Sequence, residues 1–156
     1  MLTCTFEDGG KASLRHIVVN LLIFKDKKIL LVKRASHLLE GGKWGLVGGF
    51  MDRDENLEGT ASRETTEETG YSIKNLKLFR IVDNPKRRNE DRQNVAFIYT
   101  ADANEKISHG NSESTEIKWF DLNNLPKREE FAFDHFEQIE LYLKYQKKPF
   151  ALPIIE

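Results

Sequence analysis

The sequence predicts a mixed α/β domain: a central sheet with helices on both sides. Three observations carry this. Residues 17–24 form a β-branched, apolar segment that reads as a strand buried on both faces. Two stretches, 56–69 and 129–146, have the composition and periodicity of helices. Further strand-like runs lie between and around them, so that both helices have a sheet to cover.

Taken in order, residues 1–13 hold no long apolar run and do not read as a signal peptide. Residues 25–27 form a polar turn, and 29–32 return as the second strand of a hairpin. A glycine-dense loop follows, with Gly41, Gly42, Gly45, Gly48 and Gly49 marking backbone that adopts unusual dihedrals or approaches another group closely. Residues 56–69 read as a Glu-rich helix closed by Gly70, with Leu57 and Ala61 facing the core and Thr65 continuing that stripe weakly. Residues 73–82 give one or two strands, 84–92 a polar loop around Pro85, 95–101 a strand, and 116–120 a short one. Residues 122–125 read as a helical turn stopped by Pro126. Phe133, Phe136, Ile139, Leu141, Tyr142 and Leu143 place an apolar face on a long helix over 129–146.

The chain of 156 residues suits one domain spanning 1–156, with its core at about 14–148. With 24 basic and 25 acidic residues, the net charge of −1 argues against a nucleic-acid partner. Cys4 is the only cysteine, which rules out an internal disulfide and a thiolate metal cluster and points to the reducing cytoplasm. The longest apolar stretch, 17–24, is too short to cross a bilayer, so no membrane partner is expected.

Chemistry concentrates in the helix over 56–69. At about 100° per residue, Glu64, Glu67 and Glu68 fall within an arc of about 100°. Three carboxylates on one face repel each other unless a cation sits among them. Oxygen ligands without His or Cys select a hard cation, Mg²⁺ with Mn²⁺ as substitute, suited to binding diphosphate oxygens and acidifying water. Arg63 lies just outside this face, within reach of a bidentate ion pair to Glu55. Glu-rich helices are more often plain solvated surfaces, and spacing alone leaves that reading open. A calcium loop starting at Asp52 fails, because Leu57 stands where Gly is needed and Arg63 where Glu is needed. A Walker-type phosphate loop fails for want of Gly-Lys-Ser/Thr.

The same segment resembles the signature of the Nudix hydrolases, G-x5-E-x7-R-E-U-x-E-E-x-G-U, where U is a bulky apolar residue. Gly49, Glu55, Arg63, Glu64, Glu67, Glu68 and Gly70 match at the required spacing. Family habits also occur outside the box, in Trp44-Gly45-Leu46-Val47-Gly48-Gly49 and in Lys118-Trp119-Phe120 with Leu125-Pro126. Thr65 and Tyr71 depart from the apolar positions, and Val47 stands where Pro is common; none of these removes a ligand. The resemblance implies an α/β/α sandwich around a mixed sheet. It implies metal ligation by Glu64, Glu67, Glu68 and the Gly49 carbonyl, with Glu64 as base, Glu55 and Arg63 supporting the helix, and a homodimer.

For the substrate, the resemblance brings Arg34 close to the box, where it would grip a phosphate. Trp44, in the glycine-dense loop, is the aromatic expected to stack or gate; Phe50, Phe97, Tyr99, Trp119 and Phe120 are mostly assigned to the core. The loop after Asp83 carries Lys86, Arg87, Arg88 and Arg92, of which Arg87 and Arg92 are expected to hold the distal part of a nucleotide-like substrate. Pro85, fifteen residues after Gly70, resembles the ADP-ribose pyrophosphatase branch. Relatives often take a further ligand or base from the region of Glu113 and Glu116. The four histidines, His16, His37, His109 and His135, show no metal spacing. The expected function is Mg²⁺-dependent hydrolysis of a nucleoside diphosphate linked to another moiety, ADP-ribose foremost. A nucleoside triphosphate pyrophosphohydrolase for oxidised or non-standard nucleotides and a non-catalytic nucleotide sensor are the alternatives.

Overall fold

The computed structural model describes residues 2–89, 92–110 and 114–156. Two short strands, β1 (Leu2–Thr5) and β2 (Lys11–Leu14), pair only with each other as an antiparallel ribbon. The main sheet begins with β3 (Ile17–Lys25) and β4 (Lys28–Arg34). Asp26 and Lys27 between them both have positive φ, the backbone of a tight hairpin turn that matches strand twist. The hairpin is thus as expected, but its two strands pair only at Phe24↔Ile29 and Lys25↔Lys28 before taking other neighbours.

Those neighbours are β5 (Trp44–Gly45), β6 (Val47–Phe50), β7 (Tyr71–Val82), β8 (Val95–Lys106) and β9 (Ser114–Asp121). A last strand, β10 (Ile154–Ile155), adds parallel to β7. The order is β10-β7-β8-β3-β4-β5, with β6 also on β3 and β9 also on β4. The β3–β8 pair is parallel and β7–β8 antiparallel, so the sheet is mixed.

Alternation along the central strands builds two cores. Val19, Leu21, Ile23, Leu30 and Val32 face α1 (Leu57–Thr69) and pack with its Ala61. Val18, Leu22, Ile29 and Leu31 face the opposite side and pack with Ile139 of α2 (His135–Lys147). The result is the expected α/β/α sandwich. Among the described residues no helix is long and apolar enough to cross a membrane.

Helix α1 follows its sequence signals closely. Asn56 caps it by accepting the Gly59 N–H at 2.8 Å, and Gly70 ends it in the left-handed region with φ of 75°. Thr65 is fully buried, and its hydroxyl donates to the Ala61 carbonyl at 2.7 Å, so the apolar departure leaves no unsatisfied group.

The second helix is shorter than its sequence pattern. Residues 122–125 form a turn closed by Asn124 N–H to Asp121 O, not a helical turn, and a 3-10 turn follows at Arg128–Glu130. Phe131 then bridges to Trp44, and the Ala132 N–H donates to the Trp44 carbonyl at 2.8 Å. This sheet-edge pairing overrides local helical preference, so α2 starts only at His135.

Candidate active site

Strand β6 lies between β3 and α1 and has no room for a side chain at Gly48 or Gly49. Gly48 has φ of 148°, and a Cβ there would stand 2.0 Å from the Val19 carbonyl oxygen. A Cβ on Gly49 would stand 2.3 Å from Oε1 of Glu64 on the opposite side. The two glycines therefore let the strand touch β3 and the acidic face of α1 at once.

Glu64 and Glu68 are buried, with 9% and 6% exposure, while the Glu67 side chain is half exposed. A buried carboxylate needs donors to offset its lost hydration. Glu68 accepts the Gly48 N–H at 3.0 Å, and Glu64 accepts Arg63 Nη1 at 2.8 Å. The same Nη1 donates to Glu67 at 3.1 Å. Arg63 also forms the fork expected with Glu55, Nε to Oε1 at 2.7 Å and Nη2 to Oε2 at 3.0 Å, and reaches the Phe50 carbonyl at 3.0 Å. Glu55 accepts the Asp52 N–H and the Thr60 hydroxyl as well. The Arg63 hydrogen bond, helped by the Asp52 N–H, holds the Glu55 carboxyl down at about 2.

Glu64, Glu67 and Glu68 line a cleft of about 400 Å³, together with Gly48, Gly49 and Arg63. Among the described residues, no three acidic, imidazole or thiolate side chains are already drawn together around a single ion position. The donor chemistry nevertheless fits a hard cation: three carboxylates on one helix face beside a glycine that leaves them room. A carboxylate offers about four lone-pair sites, so the Arg63 and Gly48 bonds orient these groups without exhausting them.

Of the residues expected to recognise substrate, Arg34 and Arg92 line this cleft. Each guanidinium lies over an aromatic ring that also lines it, Arg34 over Phe133 at 5.2 Å and Arg92 over Phe50 at 5.7 Å. Arg87 lines the cleft too, but its fork is committed to Asp134, Nε at 3.0 Å and Nη2 at 2.5 Å, with a side chain only 5% exposed. Its fork thus serves a partner within the protein.

Two expected residues lie outside the cleft wall. Trp44 is buried, packed edge-on against Phe120, and does not line the cleft; backbone pairing with β4 draws it into the core. Glu116 sits opposite Lys33 on β9, 3.9 Å from its ammonium, and is also not part of the cleft wall. Glu113 lies outside the described residues.

Two cleft residues carry no sequence signal. Phe133 reads as one more apolar position of a helix, and His135 as one of four scattered histidines. His135 is buried at the start of α2, and its Nδ1 accepts the Leu46 N–H at 3.0 Å. Burial pushes its pKa down to about 4, so the ring is neutral with its proton on Nε2.

Residues 14–142 match the family model described as the NUDIX domain, and the chain belongs to the Nudix hydrolase family. It is 34% identical over 131 residues to the ADP-ribose pyrophosphatase of Methanocaldococcus jannaschii, covering 83% of this chain and 74% of that protein. It is 27% identical to a MutT-like protein of Streptomyces ambofaciens, over 71% of this chain and 66% of the relative. Among solved structures, the NUDIX domain of Shewanella oneidensis NrtR complexed with ADP ribose aligns with a TM-score of 0.72 at 29% identity, covering 86% of this chain and 90% of that one.

Proposed function

We propose that this Nudix hydrolase cleaves the phosphoanhydride bond of a nucleoside diphosphate linked to a second organic moiety, with ADP-ribose as the favoured substrate and Mg²⁺, or Mn²⁺ in its place, as cofactor. The observation that carries this reading is the make-up of the cleft. One carboxylate face shares it with two separate cation–aromatic pairs, Arg34–Phe133 and Arg92–Phe50. A diphosphate with an organic group at each end uses both pairs, whereas a nucleoside triphosphate has a ring system at one end only. The archaeal relative's name and the ligand of the NrtR domain support the same choice.

Glu64, Glu67, Glu68 and the Gly49 carbonyl are the groups to hold the cation. When bound, it supplies neutralisation of charge developing on the diphosphate oxygens. Arg63 keeps the Glu64 and Glu67 carboxylates in place, and the Gly48 N–H keeps Glu68 in place. Glu64 accepts the proton of the attacking water, the water oxygen bonds to phosphorus, and the bridging oxygen leaves with the other half of the substrate. Arg92, exposed to the cleft over Phe50, holds the substrate's distal part.

The test is a purified sample with Mg²⁺ and a panel of nucleotides. AMP and ribose 5-phosphate released from ADP-ribose is the expected outcome. Preferential release of pyrophosphate from nucleoside triphosphates would move the chain to the triphosphate reading. Binding without turnover across the whole panel would make it a sensor.

A further inference from the structure

The segment Phe131–His135, whose Phe133 and His135 line the cleft, is held in a conformation that local preferences oppose. Phe133 has φ of 51°, a left-handed conformation rare for a bulky side chain. Contacts on either side impose it. Upstream, Ala132 N–H donates to the Trp44 carbonyl. Downstream, Asp134 takes the Arg87 fork, and His135 Nδ1 accepts the Leu46 N–H. The consequence is an aromatic ring under the Arg34 guanidinium, whose carbon lies 5.2 Å from the ring centroid. Arg34 Nε donates to the Leu39 carbonyl at 2.9 Å, which fixes one edge of the same plane. Leu38 and Leu39 line the cleft beside it, and Leu39 is 44% exposed, an apolar rim next to an oriented flat cation.

We propose that Phe133 is a positioning residue and that the Arg34 guanidinium, held over its ring, is the platform on which the planar heteroaromatic base of the substrate stacks. This rests on the nucleoside-diphosphate reading above and adds which part of the cleft takes the base. Guanidinium planes stack readily on bases, and the Leu39 carbonyl and the Phe133 ring hold the Arg34 guanidinium in place before any ligand arrives. The neutral His135 ring lines the same cleft and carries its proton on Nε2, a donor for base or ribose. The strained Phe133 backbone is maintained because the ring orients Arg34.

Arg34→Lys, Phe133→Leu and Phe133→Tyr test this, each titrated without Mg²⁺ by ligand-observed NMR against AMP, adenosine and ribose 5-phosphate. Lysine keeps the charge and loses the plane; leucine keeps apolar bulk and loses the ring. Arg34→Lys and Phe133→Leu are expected to weaken AMP and adenosine by about tenfold, the scale of one stacking contact. Phe133→Tyr should restore binding to within about twofold, and ribose 5-phosphate should bind all variants alike. With ADP-ribose and Mg²⁺, KM rises in the two weakened variants while kcat stays within about twofold. If Phe133→Leu does not fold, as judged by circular dichroism, Arg34→Lys carries the comparison. Equal weakening of ribose 5-phosphate would make Arg34 a phosphate grip and overturn the platform, as would unchanged AMP binding in Arg34→Lys. Wild-type protein that binds AMP in the expected pattern yet leaves ADP-ribose intact would uphold the platform and reject the reaction instead.

Discussion

Alanine at Gly49 and alanine at Gly48 differ by one residue in the chain, and the two should fail in different ways. A Cβ on Gly49 meets Glu64 alone, at 2.3, 2.5 and 2.7 Å from Oε1, Cδ and Oε2. These atoms end a flexible side chain, so the carboxylate swings aside by about 1 Å to reach ordinary contact. The stability cost is that of weakening the Arg63–Glu64 hydrogen bond, about 1–2 kcal/mol, or about 2–8 °C in Tm. A displacement of about 1 Å in a catalytic group costs about 10²-fold in rate. A Cβ on Gly48 meets the β3 backbone, 2.0 Å from the Val19 carbonyl oxygen and 2.9 Å from the Asn20 Cα, at a φ of 148°. Nothing there can swing away. Strain and overpacking, each about 1–3 kcal/mol, sum to about 2–6 kcal/mol, and the middle of that range lowers Tm by roughly 8–16 °C. Thermal melts by circular dichroism and initial rates with ADP-ribose in saturating Mg²⁺ separate the two. Gly49→Ala turning over within threefold of wild type, or both variants losing stability equally, would refute the wedge between β3 and Glu64.

Four further outcomes are expected. Glu67→Gln should cut turnover by about two to three orders of magnitude, through lost charge stabilisation, and weaken Mg²⁺ binding in calorimetry; its half-exposed position should leave Tm nearly unchanged, and near-normal activity would remove it from the ligand set. Arg87→Ala should destabilise the fold by about 3 kcal/mol in urea titrations, because it leaves the largely buried Asp134 carboxylate with the Gln138 amide in place of a charged fork, whereas Arg87→Met combined with Asp134→Leu should lose much less. Stability should fall as pH drops from about 6.5 to about 4: the His135 pKa is depressed by burial in the folded state, so only the unfolded chain takes up the proton in that window. The full effect is about 3 kcal/mol, and His135→Asn should flatten the melting profile over that range. Arg92→Ala should raise KM for ADP-ribose more than it lowers kcat; an unchanged KM would exclude Arg92 from recognition.

Local rules made much of the site legible. The acidic face of α1, its Asn56 cap and its Gly70 stop all follow from helical geometry and backbone sterics, which act within a few residues. The Arg63–Glu55 pair was accessible for the same reason, since both belong to one short stretch. Trp44 and Arg87 were not placed by local rules, because loop position and charge say nothing about which core or partner the chain supplies. Trp44 is paired with β4 and covered by Phe120, and Arg87 meets an aspartate 47 residues away.

The sequence by itself determined the layered class of the fold, the helix with its face of carboxylates, and the family to which the chain belongs. Tertiary structure alone decided where α2 begins, that β1 with β2 and β10 are strands at all, and which residues surround the cleft. The physical reason is range. Helix caps and periodicity act through neighbours along the chain, while the pairing of Phe131 with Trp44 and of Asp134 with Arg87 joins distant segments. Those long-range bonds turn what reads as one more helical turn into the strained wall that sets Phe133 beneath Arg34.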